Sequence, residues 1–177
     1  MGTSTVIIRP ATTAEDLVAV AKGFQTFADG LGVDLSFQNF AAEVAGLPGK
    51  YASPTGALLI AVDSITDEVL GCVGLRPIEI APEYKTTPGR HCEVKRLFVY
   101  PEARGRSVGR LLVRELVRIA QAQGYDGMVL DTLARLVPAV RLYRSEGFVE
   151  IARYYFNSIE KDEPVVYLRL PLGPSGA

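Results

Sequence analysis

Apolar and polar residues follow two different periods along this chain, and together these periods predict a mixed α/β protein. Short, mostly apolar runs bounded by turn residues are typical of strands in a sheet that is covered on both faces. These runs predict strands at residues 5–9, 57–62, 69–76, 92–99, 126–131, 148–155 and 165–170. Apolar residues at helical spacing predict helices after Thr12 or Thr13, after Asp34 or Ser36, and at residues 107–123 and 138–146.

The order of these elements limits how the strands can pair. Residues 57–62 and 69–76 are joined by a short polar turn, and so short a connection requires an antiparallel pair. The succession strand, helix, strand, helix over residues 92–146 predicts a parallel pair with a right-handed crossover. We therefore expect a mixed sheet with helices on both faces, in one domain over residues 1–172 with a frayed tail at residues 173–177.

Composition and charge narrow the class of protein further. The chain has 177 residues, 48% of them hydrophobic, but no apolar run approaches the roughly 18 residues of a membrane helix. Its 19 Lys and Arg are balanced by 20 Asp and Glu, which argues against binding to nucleic acid. The N-terminus lacks a signal-peptide pattern, and Cys72 and Cys92 fit neither a metal motif nor a disulfide framework. We expect a cytoplasmic protein that needs no metal, nucleic acid or membrane.

The hexapeptide RGRSVG, residues 104–109, lies between a predicted strand and a predicted helix. The first N–H groups of a helix are unpaired and lie at the positive end of its dipole, which suits a pyrophosphate. Gly105 and Gly109 allow the backbone to come close to such a ligand, while Arg104 and Arg106 add positive charge. The hexapeptide has neither the Lys-Ser/Thr ending of a P-loop nor the GxGxxG of a dinucleotide fold. The alternative is an ordinary turn with solvated arginines.

RGRSVG resembles the acetyl-CoA signature R/Q-x-x-G-x-G/A of the Gcn5-related N-acetyltransferases (GNAT), with Ser107 where the family usually has Gly. Further motifs also resemble the family, above all a bacterial subgroup of largely unassigned members: DLSFQNF, LPGKY, GCVGLRP, CEVKRLFVYPEARG, LDTLA and LYRSEGF. The resemblance covers nearly the whole chain. It implies an α/β (α+β) fold with a mixed, mostly antiparallel sheet of six to seven strands, a central splayed parallel pair and helices on both faces.

The same resemblance implies that acetyl-CoA is the co-substrate. Backbone groups of Leu97, Phe98 and Val99 would hydrogen-bond the pantetheine arm as if it were an added strand. The turn and the first helical residues would hold the phosphates, through Arg104, Gly105, Arg106, Ser107, Val108, Gly109 and Arg110. Family members often carry an Asn seven residues before the Tyr of the L-Y motif, where this chain has Leu136.

Acetylation of an amine needs a base for the amine and an acid for the departing thiolate. Tyr143 matches the Tyr that donates a proton to the CoA sulfur in many relatives, although it could instead be a core aromatic residue. Glu93 matches the strand position at which some histone-type relatives carry their general base. The alternative for Glu93 is an ion pair with Lys95 on the same face of the strand.

Four residues are candidates for the acceptor side. Arg76 and Arg96 either brace Glu93 or bind an acidic group of the acceptor, and Phe37 and Tyr155 either line the acceptor cleft or pack in the core. His91, in a polar loop before the strand, is a weaker candidate for chemistry. We expect direct acetyl transfer to a primary amine of a small metabolite or amino-acid-like compound, by a monomer or homodimer. The alternative function is a non-catalytic acyl-CoA sensor.

Overall fold

The computed structural model describes residues 4–84 and 88–173, which are built around one seven-stranded sheet. The strands are β1 Val6–Pro10, β2 Ala57–Asp63, β3 Val69–Ile78, β4 His91–Val99, β5 Gly127–Leu133, β6 Val149–Ile151 and β7 Val165–Pro171. The helices are α1 Ala14–Leu31, α2 Phe40–Ala45, α3 Val108–Ala122 and α4 Val137–Ser145. Apart from Gly173, the predicted tail lies outside the described residues.

The strands follow the order β1-β2-β3-β4-β5-β7-β6, so the sheet is mixed, as the sequence predicts. Among the described strand pairs, β4 and β5 alone run parallel, and the others are antiparallel. The parallel pair follows from the position of α3, because two parallel strands need a long connection between them. The predicted arrangement of strands and helices is therefore confirmed.

Helices cover both faces of the sheet and bury an apolar core on each. On one face Val20 and Phe24 of α1 are fully buried, and on the other Leu112 and Leu116 of α3 are fully buried. Gly23 lets α1 lie close to the sheet, since a Cβ at this position would be 2.7 Å from the Sγ atom of Cys72. The sheet is thus held between two layers.

Helix α1 begins at the predicted capping residue. The Thr13 hydroxyl accepts a hydrogen bond from the Asp16 amide, and the Asp16 carboxylate accepts one from the Thr13 amide. This reciprocal pair satisfies two N–H groups that would otherwise have no partner. The helix ends at Gly32, whose left-handed backbone suits glycine. Within residues 4–84 and 88–173, no helix combines the length and the apolar character needed to cross a membrane.

Three local expectations differ from the structure. The strand predicted at residues 148–155 ends at Ile151, because Tyr154 turns into the interior, where its hydroxyl donates a hydrogen bond to Glu93. The predicted second helix is interrupted by Asn39, whose φ of 56° separates a 3-10 turn from α2. His91 is the first residue of β4 and is buried, rather than part of a polar loop.

Candidate active site

The two parallel strands separate part-way along their length. Their pairing ends at Glu93 and Val129, while β4 continues to Val99 and β5 to Leu133. We call the opening between residues 94–99 and residues 130–133 the splayed gap. In the described chain no strand pairs with this edge of β4, so its backbone groups are free to pair with an extended ligand.

A β-bulge in β4 accompanies this separation. In the register with β3, Lys95 faces Gly74 and Phe98 faces Cys72, so the two residues between them on β4 oppose a single residue on β3. Arg96 lies in this bulge with a φ of 59°, which is uncommon for a residue other than glycine. Bulges bend a strand and increase its twist, and here the bend occurs where β4 leaves β5.

The turn that the sequence predicts to bind an anion follows β4. The amides of Val108, Gly109 and Arg110 lie in the first turn of α3 and have no helical acceptor. Gly105 has a φ of 80° and Ser107 a φ of 60°, so both take a left-handed backbone. The helix N-terminus, with its unpaired amides, therefore lies directly beyond the end of the splayed gap.

The three arginines near this turn have different partners. Arg106 forms an ion pair with Asp63 at 2.9 Å, and Arg110 forms one with Glu146 at 2.9 Å. Arg104 is exposed, and no side-chain partner for it is found among the described residues. Of the three, Arg104 has the guanidinium group that is open to an incoming phosphate.

Tyr143 lies on α4, on the same side of the sheet as α3, and is 5% exposed. Its ring packs edge-on against Phe148, with 5.5 Å between the ring centroids. Burial raises the pKa of the Tyr143 phenol, and the charge of Asp131 raises it further. The phenol is therefore protonated at neutral pH, which a proton donor requires.

A cavity of about 260 Å³ lies on the opposite side of the sheet, next to the start of the splayed gap. It brings together three of the predicted acceptor residues and the predicted base, with four further residues. Its lining residues are Phe37, Gln38, Arg76, Ile78, Glu93, Lys95, Tyr155 and Phe156. Phe37 is 41% exposed and Phe156 is 62% exposed, although large apolar side chains are usually covered.

Glu93 forms the floor of this cavity and is 1% exposed. Arg76 lies directly opposite on β3, and its Nε and Nη2 atoms are both 2.8 Å from Glu93 Oε2. The Tyr154 hydroxyl donates to Oε1 at 2.8 Å. Burial by itself raises the pKa of Glu93, but the charges of Lys95 and Arg76 and these hydrogen bonds outweigh it, so the pKa lies below its ordinary value. A carboxylate with a lowered pKa is a weaker base.

Lys95 and Asp131 complete a polar cluster that sequence reasoning did not assemble. Lys95 Nζ lies 3.8 Å from Glu93 Oε1 and 3.6 Å from Asp131 Oδ1, and Lys95 is 6% exposed. Asp131 lies in β5 within the splayed gap, and its Oδ2 accepts a hydrogen bond from Asn157 at 3.3 Å. The one available signal was a carboxylate in an otherwise apolar strand, which indicates a partner or a cleft.

The structure does not bring Arg96 to Glu93. Arg96 instead forms a two-fold contact with Glu43, at 3.0 and 3.1 Å, and donates a hydrogen bond to Gln38 at 2.9 Å. Its guanidinium carbon also lies 5.0 Å from the centre of the Phe40 ring. Arg96 thus fastens the segment that carries Phe37 to the bulge in β4.

Sequence comparison identifies the family. Residues 32–148 match the profile of the acetyltransferase (GNAT) family, which is more than half of the chain. The chain belongs to the GNAT acetyltransferase family. This acetyltransferase is 41% identical over 172 residues to an uncharacterised N-acetyltransferase of Schizosaccharomyces pombe, covering 97% of this chain and 98% of the relative. It is 34% identical to an uncharacterised N-acetyltransferase of Dictyostelium discoideum, covering 84% of this chain and 91% of the relative.

Solved structures agree on the fold of this GNAT protein. The structure of Arabidopsis thaliana NAA60 in complex with acetyl-CoA matches with a TM-score of 0.67 at 20% identity, covering 95% of this chain and 99% of that one. A GNAT acetyltransferase of Staphylococcus aureus matches with a TM-score of 0.69 at 19% identity, covering 96% and 100%. At these identities the likeness concerns the fold, and the acceptor of this enzyme has to be argued from its own residues.

Proposed function

We propose that this enzyme transfers the acetyl group of acetyl-CoA directly to the primary amine of a small acceptor with an apolar or aromatic body. The observation that carries the proposal is the position of the 260 Å³ cavity. Its floor is formed by Glu93 and Lys95 of β4, at the point where β4 and β5 separate. An acceptor in the cavity would therefore lie beside the strand edge that the family resemblance assigns to the pantetheine arm.

Acetyl-CoA fits the open groups of the chain. The unpaired edge of β4 at Leu97, Phe98 and Val99 offers backbone partners to the amides of the pantetheine arm. The amides at the start of α3 and the free Arg104 offer donors to the pyrophosphate. Bound there, acetyl-CoA supplies an activated thioester, and the residues of this chain orient it.

The cavity limits the size and the chemistry of the acceptor. At roughly 30 Å³ for each water molecule in the liquid, its volume corresponds to about nine waters, and so to a ligand of about ten non-hydrogen atoms. Phe37, Tyr155 and Phe156 supply aromatic surface at the walls. At the floor Arg76 pairs with Glu93, and Lys95 lies 3.6 Å from Asp131, so the charges offset each other in pairs, which suits an uncharged acceptor body.

Direct transfer is favoured over a covalent acyl-cysteine because neither thiol is reactive. Cys72 and Cys92 are both buried, and burial raises the pKa of each thiol to about 12. A thiolate is the nucleophilic form of cysteine, so neither residue is activated at neutral pH. In a direct transfer the amine nitrogen bonds to the carbonyl carbon, the carbon–sulfur bond breaks, and we assign the proton for the thiolate to Tyr143.

The proposed function is tested by measuring thiol release from acetyl-CoA with a panel of primary amines, together with acetyl-CoA binding by calorimetry. We expect Arg104→Glu to weaken acetyl-CoA binding by about tenfold or more, because a charge-assisted hydrogen bond contributes roughly 1.5–3 kcal/mol. Lys22→Glu, an equal charge reversal at an exposed residue of α1, serves as the matched control.

Two results would contradict the proposal in different ways. Equal affinity of the parent and Arg104→Glu for acetyl-CoA would mean that the phosphates bind elsewhere. Tight acetyl-CoA binding by the parent, without thiol release for any amine, would favour the sensor function instead.

A further inference from the structure

Two carboxylates face the acceptor side of the sheet, and they differ in how fully their oxygens are used. Both oxygens of Glu93 accept hydrogen bonds, from Tyr154 and from Arg76. The carboxylate is 1% exposed and its pKa is lowered, so Glu93 has neither a free oxygen nor the basicity to take a proton readily. These contacts suit a residue that positions its neighbours.

Asp131, in contrast to Glu93, has a carboxylate oxygen that is not used. Its Oδ1 atom is buried, and no hydrogen bond to it is found among the described residues. The Lys95 ammonium is 3.6 Å away, longer than a hydrogen bond, and Oδ2 has only the 3.3 Å contact from Asn157. A buried carboxylate oxygen without a donor is costly, so this atom is stabilised by any N–H group that enters the site.

A second open polar atom lies near the same place. The hydroxyl of Tyr155 is buried and likewise lacks a hydrogen bond within the described chain. Burial raises the pKa of this phenol, the charges of Asp131 and Glu93 raise it further, and the closeness of the hydroxyl to the Asp131 carboxylate also raises it, so the two open atoms are neighbours. A carboxylate oxygen and a phenol oxygen are both acceptors, and an ammonium group has three N–H donors to share between them.

The route from the acceptor cavity to Asp131 passes Lys95. Asp131 lines a smaller cavity of about 60 Å³, and Lys95 and Gln38 line both this one and the 260 Å³ cavity. Within the described residues Lys95 has two long ion pairs and no hydrogen bond, so its ammonium group is held less tightly than a hydrogen-bonded one. The amine of an acceptor whose body fills the larger cavity can thereby reach the splayed gap.

We propose that Asp131 binds the ammonium group of the acceptor and takes its proton, while Glu93 positions Arg76 and Tyr154. This inference rests on the proposed function, because it assigns a step of that reaction. An N–H bond of the ammonium breaks and an O–H bond forms on Asp131, which leaves a neutral amine. The amine then attacks the thioester, the carbon–sulfur bond breaks, and the second nitrogen proton passes to the thiolate, with Tyr143 as the relay. Asp131 returns its proton to solvent.

The groups around Asp131 favour this transfer. Lys95 on β4 carries a positive charge, and Tyr143, Tyr154, Tyr155 and Tyr167 are phenols whose raised pKa values keep them neutral. A nearby positive charge lowers the pKa of an ammonium group, so Lys95 counters the opposite effect of the Glu93 carboxylate and helps the acceptor to lose its proton.

The binding test compares 2-phenylethylammonium with 2-phenylethanol, which has a similar shape but no charge, on protein saturated with CoA. By calorimetry at pH 7 we expect the parent to bind the ammonium at least tenfold more tightly than the alcohol. Asp131→Asn should remove this preference, and Asp131→Ser, which also keeps an oxygen, should do the same. Glu93→Gln should change the affinities for both probes alike.

The kinetic test uses the amine that releases thiol fastest. We expect Asp131→Asn to lose about tenfold or more of the rate at pH 7 and to regain part of it at pH 9, where more free amine is present. A preference for the ammonium that persists in Asp131→Asn overturns the proposal, as does a parent without any preference. If Asp131→Asn and Tyr155→Phe both had lower melting temperatures while Asp131→Asn kept the preference for the ammonium over the alcohol, Asp131 would only anchor Tyr155. An absence of thiol release would contradict the proposed function, while the binding comparison would still decide the role of Asp131.

Discussion

The turn before α3, which we propose as the anion-binding site, allows a sharp test of how backbone conformation limits stability. Gly105 and Ser107 both have a positive φ, of 80° and 60°. A Cβ on Gly105 would have no atom within 4 Å, and the Ser107 side chain makes no capping hydrogen bond. Substitutions at these two positions therefore change the backbone preference and little else.

The magnitude follows from two opposing terms. A left-handed backbone costs a residue with a Cβ about 1–2 kcal/mol, and glycine loses about 0.5–1 kcal/mol more conformational entropy on folding. We therefore expect Gly105→Ala to lower the free energy of unfolding by about 0.5–1 kcal/mol and Ser107→Gly to raise it by a similar amount. Gly30→Ala is the matched control, because Gly30 is helical and its Cβ would also meet nothing within 4 Å. There the change to alanine should stabilise by about 0.5–1 kcal/mol.

The assay is urea unfolding at constant ionic strength. With a slope of about 2 kcal/mol per molar urea, the midpoints should shift by about 0.3–0.5 M, downwards for Gly105→Ala and upwards for Ser107→Gly and Gly30→Ala. Acetyl-CoA affinity should be kept in Ser107→Gly, because the amides at the start of α3 keep their positions. A midpoint that falls for Ser107→Gly, or does not move for Gly105→Ala, would refute this account of the turn.

Two further substitutions test the acid and a structural ion pair. Tyr143→Phe keeps the ring against Phe148 but removes the proton donor. We therefore expect acetyl-CoA affinity to be unchanged and thiol release to slow by about tenfold or more. An unchanged rate would leave Tyr143 with a packing role alone. The pKa of Asp16 is lowered from 3.8 to about 2, mainly by the hydrogen bond from Arg9. The stability that Asp16 contributes is therefore complete above its unfolded pKa and is lost as the pH falls through about 2. Asp16→Asn should remove this pH dependence of the free energy of unfolding, which we expect to amount to about 1 kcal/mol because the partly exposed Arg9 is screened by solvent. The measurement is unfolding at pH 2 to 6, and the same pH dependence in Asp16→Asn and the parent would contradict the prediction.

Much of the fold follows from local patterns in the sequence. The order of apolar runs and helical periods gives the mixed sheet and its parallel pair, since the connection lengths permit few other pairings. Thr13 and Gly105 mark a helix start and a turn by residue chemistry that acts within a few positions. The signature RGRSVG and the L-Y-x-x-x-G-F motif also carry the family resemblance, which the family match confirms.

The acceptor side could not be obtained in this way, because its contacts join residues that are far apart in the chain. Glu93 meets Arg76 only through the register of β3 and β4, and it meets Tyr154 only because the chain leaves β6 early. Burial and the neighbouring charges shift the pKa of Glu93 in opposite directions. In the observed contacts the charges have the larger effect, and the pKa is lowered.

The sequence by itself determined most of the elements, their order and the family, because each of these depends on neighbours along the chain. Only the tertiary structure decided that Arg96 lies in a bulge bound to Glu43, and that Asp131 faces Lys95 across the splayed gap. A bulge shifts every later side chain of a strand relative to its partners, and no periodicity in the sequence signals it. The floor of the site, and the carboxylate with a free oxygen, therefore emerge only when the strands are placed side by side.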